Sequence, residues 1–371
     1  VELTVLAGPV PRRPDGRVLV AAKTTTGMAA YAEHWPGTVR MVGRPVPSDP
    51  SANLDVDWVD PGQLPFALDL ADDPVADTLA RPGRGVVLAG LDPAHEPLLG
   101  GHRPVVLLAE NTPANQAAYT LLDGGTTALT RARVRLGAVR RDLRQRAMVR
   151  RAAGLQCNGW PTWDRYARGS AAPMLYLDSR IRREQLAAPT APVADGPLRV
   201  AFSGRWLRTK GINTVVAVAR ECERRRLPVT VELLGSGPEE ERVRRDAPDG
   251  LRLTGALPFD PDWVRHVSRS VDVMLLPHPQ ADPSGTYLEA LACGAPVLAC
   301  DNAYARRLIG ESRAGWSAPV GDVGALTDRL AALARDRAEI VRARAAGVAF
   351  MAEHLFADEF RRRVEHVLAL T

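Results

Sequence analysis

The chain has 371 residues, 46% of them hydrophobic and 25% charged, with a formal net charge of +5. That length exceeds the roughly 250–300 residues that one core sustains, so two domains are expected. No apolar run approaches membrane-spanning length and no repeat or low-complexity tract is visible, which excludes membrane-spanning, collagen-like, coiled-coil and disordered readings; the mild basicity does not argue for nucleic acid.

In chain order, short β-branched runs alternate with Ala- and Arg-rich helical stretches, the pattern of α/β layers around a parallel sheet. Val1 opens a strand-like segment rather than a charged-then-apolar leader, so no signal peptide is expected, and the missing Met points to a trimmed start. Strands are expected at 2–7, 18–22, 39–42, 86–89, 105–108 and 155–157, with helices over 27–35, 65–80 and 114–151, the last broken near Gly124–Gly125. The Pro-rich stretch LAAPTAPVADGP then reads as a linker. Beyond it, strands are expected at 198–202, 229–234, 251–254, 271–276 and 297–299. Helices are expected at 214–225, 239–245, 261–268, 287–292, 323–335 and from 337 to 370. Asp260 reads as the N-cap of the 261–268 helix, with Pro261 at its first position.

The four cysteines, Cys157, Cys222, Cys293 and Cys300, have no CxxC spacing and read as reduced, buried small hydrophobes in a cytoplasmic protein. No His pair has metal-ligand spacing, so no protein-built metal site is expected.

Three segments carry chemistry. The first is the strand ending in Ser203-Gly204-Arg205-Trp206-Leu207-Arg208-Thr209-Lys210-Gly211, followed by a helix. Gly204 permits a tight turn, and two cations stand beside the N–H groups of a helix start, an arrangement suited to a diphosphate. Only two of the 48 Lys and Arg residues are Lys, namely Lys23 and Lys210, so a Lys at this place stands out. The second is VELLGSGPEE, where Gly235 and Gly237 follow a buried strand. The third runs VDVMLLPHPQADPSGTYLEALACGAPVLA. There Ser284, Gly285 and Thr286 open a short helix carrying Glu289, a carboxylate placed to accept from vicinal hydroxyls.

In their order and spacing these segments resemble the donor-binding domain of the retaining family 4 glycosyltransferases, which have the GT-B fold. GRWLRTKG resembles that family's G-R-x-x-x-x-K-G, VELLGSGPEE its strand–GxGP–helix, and LEALACGAPVLA its E-A-x-A-x-G-x-P-V-x-A. WSAPVGD resembles the segment before its next helix. The resemblance implies two Rossmann-like doubly wound domains facing a central cleft. It implies an acceptor-side domain over 1–186, a linker over 187–197, a nucleotide-sugar domain over 198–350, and a terminal helix over 351–371 that crosses back to the first domain. It implies that Arg205 and Lys210 neutralise the donor diphosphate and leaving group, and that Glu289 holds the ribose hydroxyls. Gly204, Gly235 and the backbone at Ser284–Tyr287 would line the diphosphate and the transferred sugar. The family's second carboxylate, eight residues before the Glu, falls on Ala281 here, with Asp282 one residue away.

In the first half, Lys23-Thr24-Thr25-Thr26-Gly27 stands where the family carries a Gly-rich loop, and Glu110 and Asn111 stand where it carries a histidine. Glu110 is then the acceptor-side catalytic candidate, and Asn158 is another residue at a strand end. Between Val46 and Ala80 there are eight Asp and no Lys or Arg, a face suited to a cationic acceptor such as an amino sugar or aminocyclitol. Between Arg131 and Arg151 there are nine Arg and one Asp, a helix able to meet anionic lipid but without a sizeable Trp/Phe/Leu face.

The expected function is transfer of a sugar from a UDP- or GDP-linked donor, with retention, to a small-molecule acceptor. The donor is a co-substrate; no cofactor or metal is expected. The alternatives are a peripheral-membrane enzyme acting on a lipid or envelope glycan, a coupling enzyme that keeps the nucleotide site, and an inactive partner subunit.

Overall fold

The computed structural model describes residues 1–47, 56–122, 126–188, 195–281 and 283–371. The strands are β1 (Glu2–Pro11), β2 (Val18–Ala21), β3 (Val39–Val46), β4 (Val56–Val59), β5 (Ala67–Leu70), β6 (Gly85–Gly90), β7 (Val105–Ala109), β8 (Gly154–Asn158), β9 (Pro173–Tyr176), β10 (Leu198–Ser203), β11 (Val229–Leu234), β12 (Leu251–Gly255), β13 (Val273–Leu276), β14 (Val297–Cys300) and β15 (Gly315–Ala318). The helices are α1 (Ala22–His34), α2 (Pro74–Ala80), α3 (Pro113–Leu122), α4 (Ala128–Arg151), α5 (Trp160–Tyr166), α6 (Ile212–Arg224), α7 (Glu240–Asp246), α8 (Val264–Ser270), α9 (Gly285–Ala292), α10 (Ala303–Ser312), α11 (Val323–Arg335), α12 (Arg337–Ala352) and α13 (Phe356–Leu368).

The chain forms two compact units. One comprises Val1–Ala117, Gly125–Asp178 and Ala357–Thr371; the other comprises Ala118–Gly124 and Ser179–Phe356. The second unit is built on a parallel six-stranded sheet in the order β12-β11-β10-β13-β14-β15. Relative to its own chain order this is 3-2-1-4-5-6, the doubly wound arrangement. β13 and β14 are buried at every residue, as strands covered on both faces must be, which is why they read as unbroken apolar runs. α6 buries Ile212, Val215, Val216, Ala219 and Cys222, one helical face at 3.6-residue spacing. The crossover lies between β10 and β13, where an open α/β sheet leaves a crevice beyond the strand ends.

The first unit has a parallel seven-stranded sheet in the order β5-β3-β1-β6-β7-β8-β9 and a separate β2–β4 antiparallel pair. Its core includes Val87, Leu107, Met148, Leu155, Cys157 and Tyr166. The terminal segment is locked into this unit. Gln156 Nε2 donates to the Arg363 carbonyl (2.9 Å), and Arg363 Nε donates back to Gln156 Oε1 (3.0 Å). All four cysteines are buried and free.

Several sequence expectations are corrected. The helix expected over 65–80 is strand β5 followed by α2. Asp69 on β5 accepts from Arg40 of the neighbouring β3 (2.7 Å), and Asp73 caps α2 through the N–H groups of Val75 and Ala76. Asp260 does not cap α8; its carboxylate pairs with Arg182 (2.5 Å), and α8 begins at Val264. β4, β9, α5, α10 and β15 were not anticipated. The expected break at Gly124–Gly125 lies outside the described residues; helices flank it on either side.

Candidate functional site

In the second unit, β10 ends at Ser203 and the chain turns through Gly204 at φ +145°. Beside it, β11 ends and the chain turns through Gly235 at φ +119°. The two turns are pressed together. Gly204 N–H donates to Leu234 O (3.1 Å) and Trp206 N–H to Ser236 O (2.8 Å), and a Cβ on Gly235 would lie 2.0 Å from Gly204 O. A third glycine, Gly211 at φ +73°, precedes α6; a Cβ there would lie 2.2 Å from Pro277 O. The loops after β10, β11 and β13 therefore approach one another because Gly235 and Gly211 lack side chains.

Lys210 sits in the short turn Arg208–Lys210 just before α6. Desolvation in this crowded turn, aided by the Arg205 guanidinium, brings its ammonium down to about 7. Two cations are thus held close together at a helix start, and an anion between them would relieve the repulsion.

Sequence reasoning passed over His278, which lies between two prolines just after β13. It is 1% exposed, and its ring meets Tyr287 edge-on at 5.1 Å. Burial first, then Lys210, lowers it well below 6.5, so it is a neutral imidazole. Asn302 donates to its carbonyl (3.0 Å), and Gln280 donates to Thr209 O (3.1 Å), tying this loop to the Lys210 turn. The signal available in the sequence was a polar residue set between two prolines just past a fully apolar strand.

Glu289, on the second turn of α9, is 7% exposed and accepts from Arg180 Nε at 2.6 Å. Ser284 is the residue preceding α9, and Gly285 and Thr286 form its first turn. Tyr287 turns its side chain into the core, where its hydroxyl donates to Leu276 O (3.2 Å), so only its backbone faces the helix start. Asp282 lies outside the described residues.

The first unit holds a separate polar cluster at the carboxyl ends of β7, β8 and β9. The exposed Glu110 carboxylate accepts from Asn158 Nδ2 on one oxygen and Tyr176 Oη on the other, both at 2.7 Å. Burial, with Glu110 adding to it, pushes the Tyr176 hydroxyl well above 10, so it remains a donor. Beneath it the Arg363 guanidinium lies 4.1 Å from the Tyr176 ring centroid. The result is a carboxylate fixed from below and open above, able to accept from a hydroxyl or ammonium group. Asn111 instead serves its own helix start, accepting from Thr112 N (2.8 Å) and Asn115 Nδ2 (2.7 Å).

The expected loop at Lys23, Thr26 and Gly27 is helix, because α1 already begins at Ala22. Lys23 pairs with Asp178, and Thr26 donates back to Ala22 O (2.8 Å). Gly27 is a packing glycine, since a Cβ would stand 3.0 Å from Phe360 Cζ. Among the described residues there is no cluster of His, Cys, Asp and Glu able to hold a metal ion, and no helix is long and apolar enough to cross a membrane.

The doubly wound second unit, with paired cations and a buried carboxylate at its crossover, fits a nucleotide-binding domain. Residues 197–336 match the family model described as glycosyl transferases group 1, and the chain carries a domain of that family. Over 174 residues it is 30% identical to a 2-deoxystreptamine N-acetyl-D-glucosaminyltransferase of Streptomyces fradiae, covering 45% of this chain and 41% of that protein. Over 156 residues it is 32% identical to a phosphatidyl-myo-inositol mannosyltransferase of Mycolicibacterium smegmatis, covering 39% of each. The chain thus spans about two fifths of the curated relatives it matches. The crystal structure of Anabaena HepE in complex with UDP and glucose is similar over 99% of both chains, with TM-score 0.66 and 12% identity. The fold is GT-B.

Proposed function

We propose that this protein is a retaining glycosyltransferase that moves a sugar from a nucleoside diphosphate sugar to a small polar acceptor, an amino sugar or aminocyclitol. The observation that carries this reading is the Arg205–Lys210 pair at the sheet crossover, two cations on the turn that leads into α6, near enough that Arg205 lowers the Lys210 ammonium. A diphosphate suits two adjacent cations, and the same cations stabilise the leaving nucleotide as charge develops on it. Glu289 accepts from the ribose hydroxyls. Glu110, held by Asn158 and Tyr176, takes the acceptor's hydroxyl or ammonium. Retention follows a same-face course: the acceptor oxygen forms the new bond to the anomeric carbon as the diphosphate departs, and the leaving phosphate takes the acceptor's proton. The 2-deoxystreptamine-directed relative supports an aminocyclitol acceptor, and the UDP-bound neighbour supports a nucleotide donor. A thermal-shift screen with UDP, GDP, dTDP and ADP tests the reading. UDP or GDP at about 100 times its Kd is expected to stabilise the protein by about 2.7 kcal/mol, a rise of several degrees in Tm. No shift with any of the four would sink it.

One observation favours a second reading, an acceptor at a lipid surface. Leu129, Leu136 and Leu143 recur every seven residues on α4, with Val139 beside them, and each is at least half exposed. Arg133 and Arg140 flank this stripe on one side, and Arg135 and Arg146 on the other. The outward apolar face is thus larger than the sequence suggested, and it has the form of an interfacial helix. The relative acting on phosphatidyl-myo-inositol points the same way. Under this reading the protein pellets with anionic phospholipid vesicles and L136E/L143E releases it; under the first reading it stays in the supernatant.

A further inference from the structure

Residues 179–188, at the start of the long stretch of the second unit, carry three arginines, Arg180, Arg182 and Arg183, that no sequence motif marks. The segment is fixed to the unit: Ile181 is fully buried and its carbonyl accepts from Phe356 N (2.9 Å), and Ala187 N donates to Ala292 O (2.8 Å). Arg182 donates to Asp260 Oδ2 and to Glu184 Oε1, both at 2.5 Å. Arg180 donates to Glu289 Oε1, and its guanidinium carbon lies 3.6 Å from the Phe259 ring centroid. Phe259 in turn stacks on Trp263, with centroids 5.6 Å apart and planes 25° apart. The Trp263 indole N–H is anchored on Ser203 Oγ (2.8 Å), the last residue of β10. Three flat groups therefore form one pile beside the buried carboxylate, with Arg180 outermost and its side chain 31% exposed.

A carboxylate as buried as Glu289 is costly without a partner, and the Arg180 hydrogen bond both stabilises its charge and fixes its rotamer. A nucleoside whose ribose diol is held at Glu289 carries its planar base on the next sugar carbon, within reach of the exposed guanidinium that tops the pile. A planar, weakly hydrated guanidinium stacks readily on such a ring, whereas a lysine ammonium has no face to offer.

We infer that Arg180 is a specificity-determining residue: it positions Glu289 for the ribose diol and, backed by Phe259, forms the platform against which the nucleobase lies. It reads the nucleoside and leaves the diphosphate to Arg205 and Lys210. The inference rests on the nucleoside diphosphate reading above. Titration calorimetry with UDP, GDP and inorganic pyrophosphate on wild type, R180Q and R180K tests it. In R180Q, affinity for the nucleotide that wild type prefers is expected to fall at least tenfold, with pyrophosphate affinity changed less than threefold. R180K is expected to fall between, because its charge reaches Glu289 but it cannot stack. Unchanged nucleotide affinity in R180Q, or parallel loss of nucleotide and pyrophosphate, overturns the inference. If R180Q does not fold, F259L, which removes the middle of the pile, is read by the same two ligands. Wild type that binds pyrophosphate but neither nucleotide overturns the underlying reading, and this inference with it.

Discussion

Replacing Lys210 with alanine is expected to lower sugar transfer at least tenfold, because the variant loses a charge-assisted contact to the leaving diphosphate of about 1.5–3 kcal/mol. The same residue makes binding depend on pH, and the sign follows from its surroundings. The ammonium sits at about 7, held down by desolvation and by Arg205. A bound diphosphate favours the charged form and raises that value. Nucleoside diphosphate binding is therefore full below pH 7, and above it takes up a proton and weakens by up to about tenfold per pH unit until the bound-state value is reached. Calorimetry between pH 7 and 9, in buffers of different ionisation enthalpy, reads the proton directly. A flat affinity in wild type, or an unchanged slope in Lys210→Ala, would remove Lys210 from the phosphate site.

Substituting Gly235 with alanine is expected to have the largest effect on stability. The residue has φ +119°, and its new methyl would meet a backbone oxygen, Gly204 O, at 2.0 Å. Neither turn can yield without breaking the hydrogen bonds that join them. Strain and overpacking together cost about 2–5 kcal/mol, or roughly 5–15 °C in Tm. Gly321 separates the two causes. It also has positive φ, +81°, but no atom lies within 4 Å of its Cβ position. Gly321→Ala is therefore expected to cost only about 1 kcal/mol. Equal losses in the two variants would show that close approach of the two loops is not what Gly235 provides.

The apolar strands and the turn after β10 were legible in the sequence for local reasons. β13 and β14 are covered on both faces, so their burial is written as unbroken runs, and a lysine among so many arginines marks the turn before α6. β5 was not legible. Its stretch is acidic and short, and what makes Ala67–Leu70 a strand is parallel pairing with β3, where Arg40, 29 residues from Asp69, also binds that carboxylate. The partners of the candidate site residues were hidden for the same reason. Glu289 meets an arginine 109 residues earlier, and Glu110 meets donors 48 and 66 residues later. Lys23 misled because a lysine followed by threonines and a glycine reads as a loop, whereas these residues already wind as helix and pack against Phe360.

The embrace of Gln156 and Arg363 joins residues 207 positions apart, with nearly the whole second unit between them in the chain. During synthesis the amide of Gln156, on a fully buried strand, has no partner until residues 357–371 emerge from the ribosome. The second unit can mature as soon as its own stretch is out, while the first, although begun earlier, is finished later. An isolated fragment ending at Asp178 would leave that amide bare and the flank of Tyr31 and Tyr176 uncovered, an invitation to aggregate rather than a free-standing half of the protein.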